Sequence, residues 1–113
     1  MILTAWNNGD HHTTGAGYGF RVDLKDRALY FNPEQRAVHL EFAVLAPNHA
    51  EVNIDKLSFW SPTCHELINH EIGKWLIANG YAWWPKSSPP KFTAVQTAPG
   101  HILVLGPPIQ HLG

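Results

Sequence analysis

Cysteine is almost absent from this chain of 113 residues: Cys64 stands alone. A disulfide framework and a cysteine-based zinc cluster are therefore excluded. Charge is scarce too, at 15% of residues, and it balances to a formal net charge of −1 with neutral histidine. A chain that grips duplex nucleic acid without regard to sequence must neutralise several phosphates, so bulk duplex is not an expected partner. Long apolar runs are missing, and none approaches the roughly 18 residues of a membrane-crossing helix. Residues 1–8 carry neither the basic region nor the apolar stretch of a secretory signal, and the cytoplasm is the compartment this predicts. Repeats, charge blocks and low-complexity segments are also lacking.

What is present is enough for one core. Hydrophobic residues make up 44% of a chain of single-domain length, so residues 1–113 are expected to form one domain. Eight histidines make the net charge sensitive to pH between roughly 5 and 8.

Periodicity then divides the chain. Met1 to Trp6 reads as a strand, Asn7 to Gly19 as a polar loop, and Tyr18 to Val22 as a return to extended structure. Asp23 opens a short helix to Phe31, with Leu24, Ala28 and Phe31 on one face and Asn32-Pro33 ending it. In Ala37 to Leu45, residues Val38, Leu40, Phe42 and Val44 alternate with Ala37, His39, Glu41 and Ala43. That pattern predicts a strand, paired as a hairpin with Glu51 to Asp55. The spacing of Leu67, Ile68, Ile72, Trp75 and Leu76 predicts a long helix from Thr63 to Asn79, with Thr63 and Glu66 as its capping box and Gly80 as its stop. Tyr81 to Pro90 reads as a loop. Phe92 to Thr97 and His101 to Leu105 read as a last hairpin, and residues 106–113 as a loose tail. The expected fold is α+β: a mostly antiparallel sheet of four to six strands with one main helix packed on it. Its core should hold Leu3, Val38, Leu40, Phe42, Val44, Val52, Ile54, Leu67, Ile68, Ile72, Trp75 and Val104.

The segment richest in chemistry is Asn7 to Arg21. Gly15, Gly17 and Gly19 alternate, but the spacing is not that of a dinucleotide fingerprint, and no P-loop lysine follows. Alternate glycines bare one face of the backbone, and successive exposed N–H groups can hold an anion. Arg21 adds a planar fork suited to phosphate or carboxylate. Asn7, Asn8, Thr14, His11 and His12 supply hydrogen bonds, and Trp6 or Tyr18 a ring. The plainer reading is a polar turn with tight packing. His11 and His12 are also the candidate acid–base groups of an enzyme. His12-Thr13-Thr14 matches one His-x-Thr element of two-histidine phosphoesterases, but the chain has no second copy.

Two features of the predicted long helix need separating. His65 and His70 flank Glu66 but are i and i+5, about 140° apart on a helix, and do not make the H-E-x-x-H zinc motif. Glu66 and His70 would form an ordinary i, i+4 surface pair. Glu71 falls on the apolar stripe, where a carboxylate needs water or a partner, and Arg21 or a first-loop histidine is the natural one. Cys64 falls on the same stripe and should be a small core residue. No metal site and no cofactor is expected.

The other candidate is aromatic. Trp83-Trp84-Pro85-Lys86, with Tyr81 before and Lys91 after, places adjacent rings beside lysines on a loop. Such rings can stack a base or sugar, or anchor a protein partner or a second copy. The plainer reading is that one ring closes the core and the other shields a rim.

The run Ala5-Trp6-Asn7-Asn8-Gly9 and the segment Gly15-Ala16-Gly17-Tyr18-Gly19-Phe20-Arg21 resemble a group of small uncharacterised bacterial proteins. So do Val52-Asn53-Ile54-Asp55, Glu66-Leu67-Ile68-Asn69 and Pro89-Pro90-Lys91-Phe92. The resemblance covers most of the chain and implies a bacterial or phage cytosolic protein. It carries no activity and no site assignment. From the residues themselves, the leading expectation is binding of a small anionic or nucleotide-like ligand around Asn7, Asn8, Thr14, Gly15, Gly17, Tyr18, Gly19, Arg21, Glu71 and Trp84. The alternatives are a hydrolase or phosphoesterase-like enzyme using His11 or His12, and a structural or interaction module using the Trp83-Trp84 loop.

Overall fold

The computed structural model describes residues 1–10, 13–43 and 48–109. The fold is α+β. The described residues form seven strands: β1 (Ile2–Asn7), β2 (Tyr18–Val22), β3 (Ala37–Phe42), β4 (His49–Asn53), β5 (Glu66–Ile68), β6 (Lys91–Ala98) and β7 (His101–Leu105). Among the described residues three short helices accompany them: α1 (Leu24–Tyr30), α2 (Leu57–Trp60) and α3 (His70–Ala78).

The strands form one mixed sheet in the order β4-β3-β7-β6-β1-β2-β5. The sheet is mostly antiparallel, with one parallel pair, but its seven strands and the three short helices correct the expected four to six strands under one main helix. Two of the differences have a common origin. The C-terminal hairpin β6–β7 inserts between the two earlier hairpins, with β6 antiparallel to β1 and β7 parallel to β3. The parallel pair joins strands far apart in sequence, where no turn signal announces the pairing.

Alternation sets the two faces. Leu3, Phe20, Val22, Val38, Leu40, Val52, Leu67, Phe92, Ile102 and Val104 all turn to one side and are buried. α3 packs onto that side. Trp75 is stacked on Phe42, with ring centroids 4.8 Å apart, and meets Phe20 and Phe92 edge-on. The sheet curls nearly into a barrel. Its two edges are joined where Asn69, just after β5, donates from Nδ2 to the Glu51 carbonyl of β4 at 2.9 Å.

The predicted helix from Thr63 to Asn79 is corrected. Residues 66–68 are a strand, and the helix begins only at His70. The open edge of β2 offers hydrogen bonds that a helix there would forgo, and β5 takes them in antiparallel register. Leu67 keeps its place in the core, but Ile68 turns outward and is 40% exposed. The cap is Asn69, extended at φ −162° and ψ 138°, whose side chain accepts from the Glu71 N–H at 2.8 Å. The expected Thr63–Glu66 capping box and Glu66–His70 helical pair therefore do not form. Cys64 precedes the strand and is exposed, not a core residue.

Elsewhere the differences are smaller. α1 buries none of its residues, and Leu24 and Ala28 are exposed. Arg27 ties α1 to α2 by donating from Nη1 to the carbonyls of Phe59 and Ser61 at 2.6 and 2.8 Å. Residues 106–109 run back along the start of β6, where the Ile109 N–H donates to the Lys91 carbonyl at 2.7 Å. Val44 lies outside the described residues. No helix of the described residues is long and apolar enough to cross a membrane.

Candidate functional site

The outer face of β1 and β2 floors a groove of about 410 Å³, lined by Thr4, Ala5, Trp6, Asn7, Arg21, Trp84, Lys86 and Pro89. Strand alternation aims its polar floor. Leu3 and Ala5 are buried on the core side of β1, so Thr4 and Trp6 stand on the other side. Phe20 and Val22 do the same for Arg21 on β2. Register then sets Thr4 opposite Arg21 on one side and Lys91 on the other, and Trp6 opposite Gly19.

The far wall comes from the tryptophan loop, and two contacts hold it over β1. The Tyr18 hydroxyl donates to the Ala82 carbonyl at 3.4 Å. The Ala5 N–H donates to the Pro90 carbonyl at 2.9 Å, so residues 89–90 run along β1 before β6 begins. A turn closed by Ser88 N–H to Pro85 O lies between. Trp84 is half-buried against the edge of the core, whereas Trp83 is 77% exposed.

The electrostatics of the groove are one-sided. Among the described residues its lining holds two cations, Arg21 and Lys86, and no carboxylate. Glu66 stands beside it, with its Oε1 meeting Arg21 Nη2 at 3.1 Å. Glu66 is 8% exposed, while the Arg21 side chain is 48% exposed. The pair occupies one edge of the guanidinium, and an arginine offers five donors in all. Together the lining can hold an anion by charge-assisted hydrogen bonds and a flat body between indoles.

Of the residues singled out in the sequence, Trp6, Asn7, Arg21, Trp84 and Lys86 come together in this groove. The glycine segment takes another part. Gly15, at φ +89°, faces α3, where a Cβ would stand 2.2 Å from the His70 carbonyl oxygen. A Cβ on Gly19 would stand 2.3 Å from the Leu67 carbonyl oxygen. These glycines let the chain pack against its own backbone. Asn8 supports the same turn, with its N–H on the Gly17 carbonyl at 2.9 Å and its side chain beside Gly17. Thr14 accepts from the Ala16 N–H at 3.4 Å, and the Tyr18 ring is buried. Glu71 is held by Lys74 and His70 at 3.2 and 3.1 Å; the arginine expected beside it pairs with Glu66 instead. His11 and His12 lie outside the described residues. Among the described residues no group of three His, Cys, Asp or Glu side chains is placed to hold a metal ion.

Thr4 and Pro89 were not singled out from the sequence. The available signal was that Trp6 and Trp84 both stand beside polar, turn-forming residues. Nothing in the sequence says that the two segments meet. Comparisons with protein-family models, with curated proteins and with solved structures find no match to this chain.

Proposed function

We propose that this chain binds a small anionic ligand with a flat ring, a nucleotide-like molecule, in the groove over β1 and β2. One observation carries the reading: Trp6, Trp84, Arg21 and Lys86 line a single groove with no carboxylate among its described lining residues. The indoles supply ring faces, the two cations supply charge, and Thr4 and Asn7 supply directional hydrogen bonds. The centre of the site is thus the outer sheet face at Arg21, not the glycine backbone. The ligand class and the cytosolic bacterial setting suggested by resemblance fit one another.

A calorimetric and thermal-shift screen over nucleotides, sugar phosphates and small carboxylates tests the proposal. A nucleotide should bind best, and both Arg21→Ala and Lys86→Ala should weaken it. No binding across the set, or binding indifferent to both substitutions, would sink it.

A second reading has one observation in its favour, the 77% exposure of Trp83. An exposed indole can anchor a protein partner. Light scattering of the wild type against Trp83→Ser tests self-association through that ring. Equal mass for both proteins at every concentration would remove the self-association form of this reading.

A further inference from the structure

We infer that the groove takes a short stretch of single-stranded nucleic acid in preference to a lone mononucleotide, an inference that rests on the anion-and-ring reading above. Three features separate a polymer from a compact ligand.

The cations are spread in a row, not gathered at a point. Lys91, Thr4 and Arg21 are register partners on three neighbouring strands. Lys91 and Arg21 therefore stand two strand spacings apart, roughly 9–10 Å. Lys86 adds a third positive charge from the loop above. A terminal phosphate is best held by donors that converge on it, whereas a chain of phosphodiesters is matched by charges set at intervals along a track.

The rings are spread in the same way. Trp6 and Trp84 line the groove, and Trp83 stands next in the chain, outside the lining and 77% exposed. An indole stacks any base, and each base stacked is worth about 1–3 kcal/mol in single-strand binders. One nucleotide cannot use a ring outside the groove, but its neighbour along a strand can.

The groove is also partly open to solvent and not an enclosed cavity, so a strand can enter it from the side. Stacking on these indoles needs bases free of a partner, which excludes a duplex. The near-zero net charge points the same way: the chain as a whole carries no positive excess with which to grip a duplex. Glu66 lowers the charge at Arg21, which favours one singly charged phosphodiester over the clustered charge of a triphosphate.

Fluorescence anisotropy and tryptophan quenching with thymidine monophosphate, oligothymidylates of about four and about eight nucleotides, and a matched duplex test this. Affinity should rise about tenfold or more from the mononucleotide to the longer oligomer, in line with one added stacking contact. It should fall with salt at a log–log slope near −2, from about 0.7 per phosphate neutralised by three cations. Lys91→Ala and Trp83→Ala, both at exposed positions outside the groove lining, should weaken the oligomer about three- to tenfold and leave the mononucleotide unchanged. Equal affinity for monomer and oligomer, or indifference of the oligomer to both substitutions, would overturn the polymer inference while the small-ligand reading stands. Equal competition by the duplex would also overturn it. If neither nucleotide nor oligomer binds, both readings fall together.

Discussion

Arg21 and Glu66 are cross-strand partners on β2 and β5, joined through one guanidinium nitrogen and one carboxylate oxygen at 3.1 Å. The arginine is half exposed and lines the groove; the glutamate is buried beside it. With one partner so open to water, the ion pair contributes only about 0–1 kcal/mol to stability. Its larger effect is on the charge that a ligand meets. Glu66→Gln keeps an oxygen to accept from Arg21 and removes the opposing charge. Phosphate-bearing ligands should therefore bind several-fold tighter to Glu66→Gln, with a steeper salt dependence and a nearly unchanged melting temperature. Arg21→Ala should act in the other direction on both counts. It should weaken binding and cost about 1–3 kcal/mol, because a buried carboxylate loses its partner. Calorimetry and chemical denaturation read both effects.

Asn69 performs two tasks that substitution can separate. Its Oδ1 caps α3 and its Nδ2 bridges β5 to β4. Asn69→Asp keeps the cap acceptor and loses the bridge donor, whereas Asn69→Ala loses both. Denaturant unfolding should show Asn69→Ala destabilised by about 1–2 kcal/mol, the usual range for a lost cap. Asn69→Asp should lie between it and the wild type. Equal stability of all three proteins would show that the helix start is fixed by packing alone.

The glycines should divide by cause. Gly73 packs against Gly15 so closely that a Cβ would stand 2.1 Å from the Gly15 carbonyl oxygen. Gly73→Ala has to push the first loop off α3 and should cost about 1–3 kcal/mol or more. Gly80 ends α3 at φ +77° with nothing within 4 Å of the Cβ position. Its alanine variant meets only the backbone penalty, about 1–2 kcal/mol. Thermal or denaturant melts of the two variants should rank Gly73→Ala as the more damaging. The reverse order would mean that the loop yields readily.

Cys64 is exposed in the segment between α2 and β5. A thiol reagent should label it in the native protein at a rate close to that in denaturant. Protection by more than about a hundredfold, some 2.7 kcal/mol of local opening, would contradict its placement.

The strands with strict alternation or clear turns were legible in the residues. β1, β2, β3, β4, β6 and β7 fall where the pattern put them, to within a few residues at their ends. So does the core from Leu3 to Val104, apart from Ile68 and the undescribed Val44. These follow from side-chain direction and burial, which short windows encode.

The join between β5 and α3 was decided by tertiary structure. Leu67 and Ile68 suit a helix stripe or a strand equally well, and the vacant edge of β2 made the choice. The Asn69 cap was not read from the sequence, where the apolar stripe runs on through Leu67 and Ile68 toward Thr63. The parallel β3–β7 pair was likewise invisible, because it joins His39 to His101 across the sheet with no local turn to mark it.

The candidate site divides along the same line. The residue types that bind anions and rings could be read one by one: Arg21, Asn7 and Trp84 among them. Their meeting could not. Trp6 and Trp84 face one groove only because β6 pairs with β1 and carries Pro89 and Pro90 alongside it. Docking of α3 on the first loop and pairing of β5 with β2 turn Gly15 and Gly19 from an apparent ligand cradle into points of close backbone packing. The sequence by itself determined which side chains face in or out along each strand, since a two-residue period is local. Only the tertiary structure decided which outward faces lie side by side, since that depends on hydrogen bonds between segments far apart in the chain.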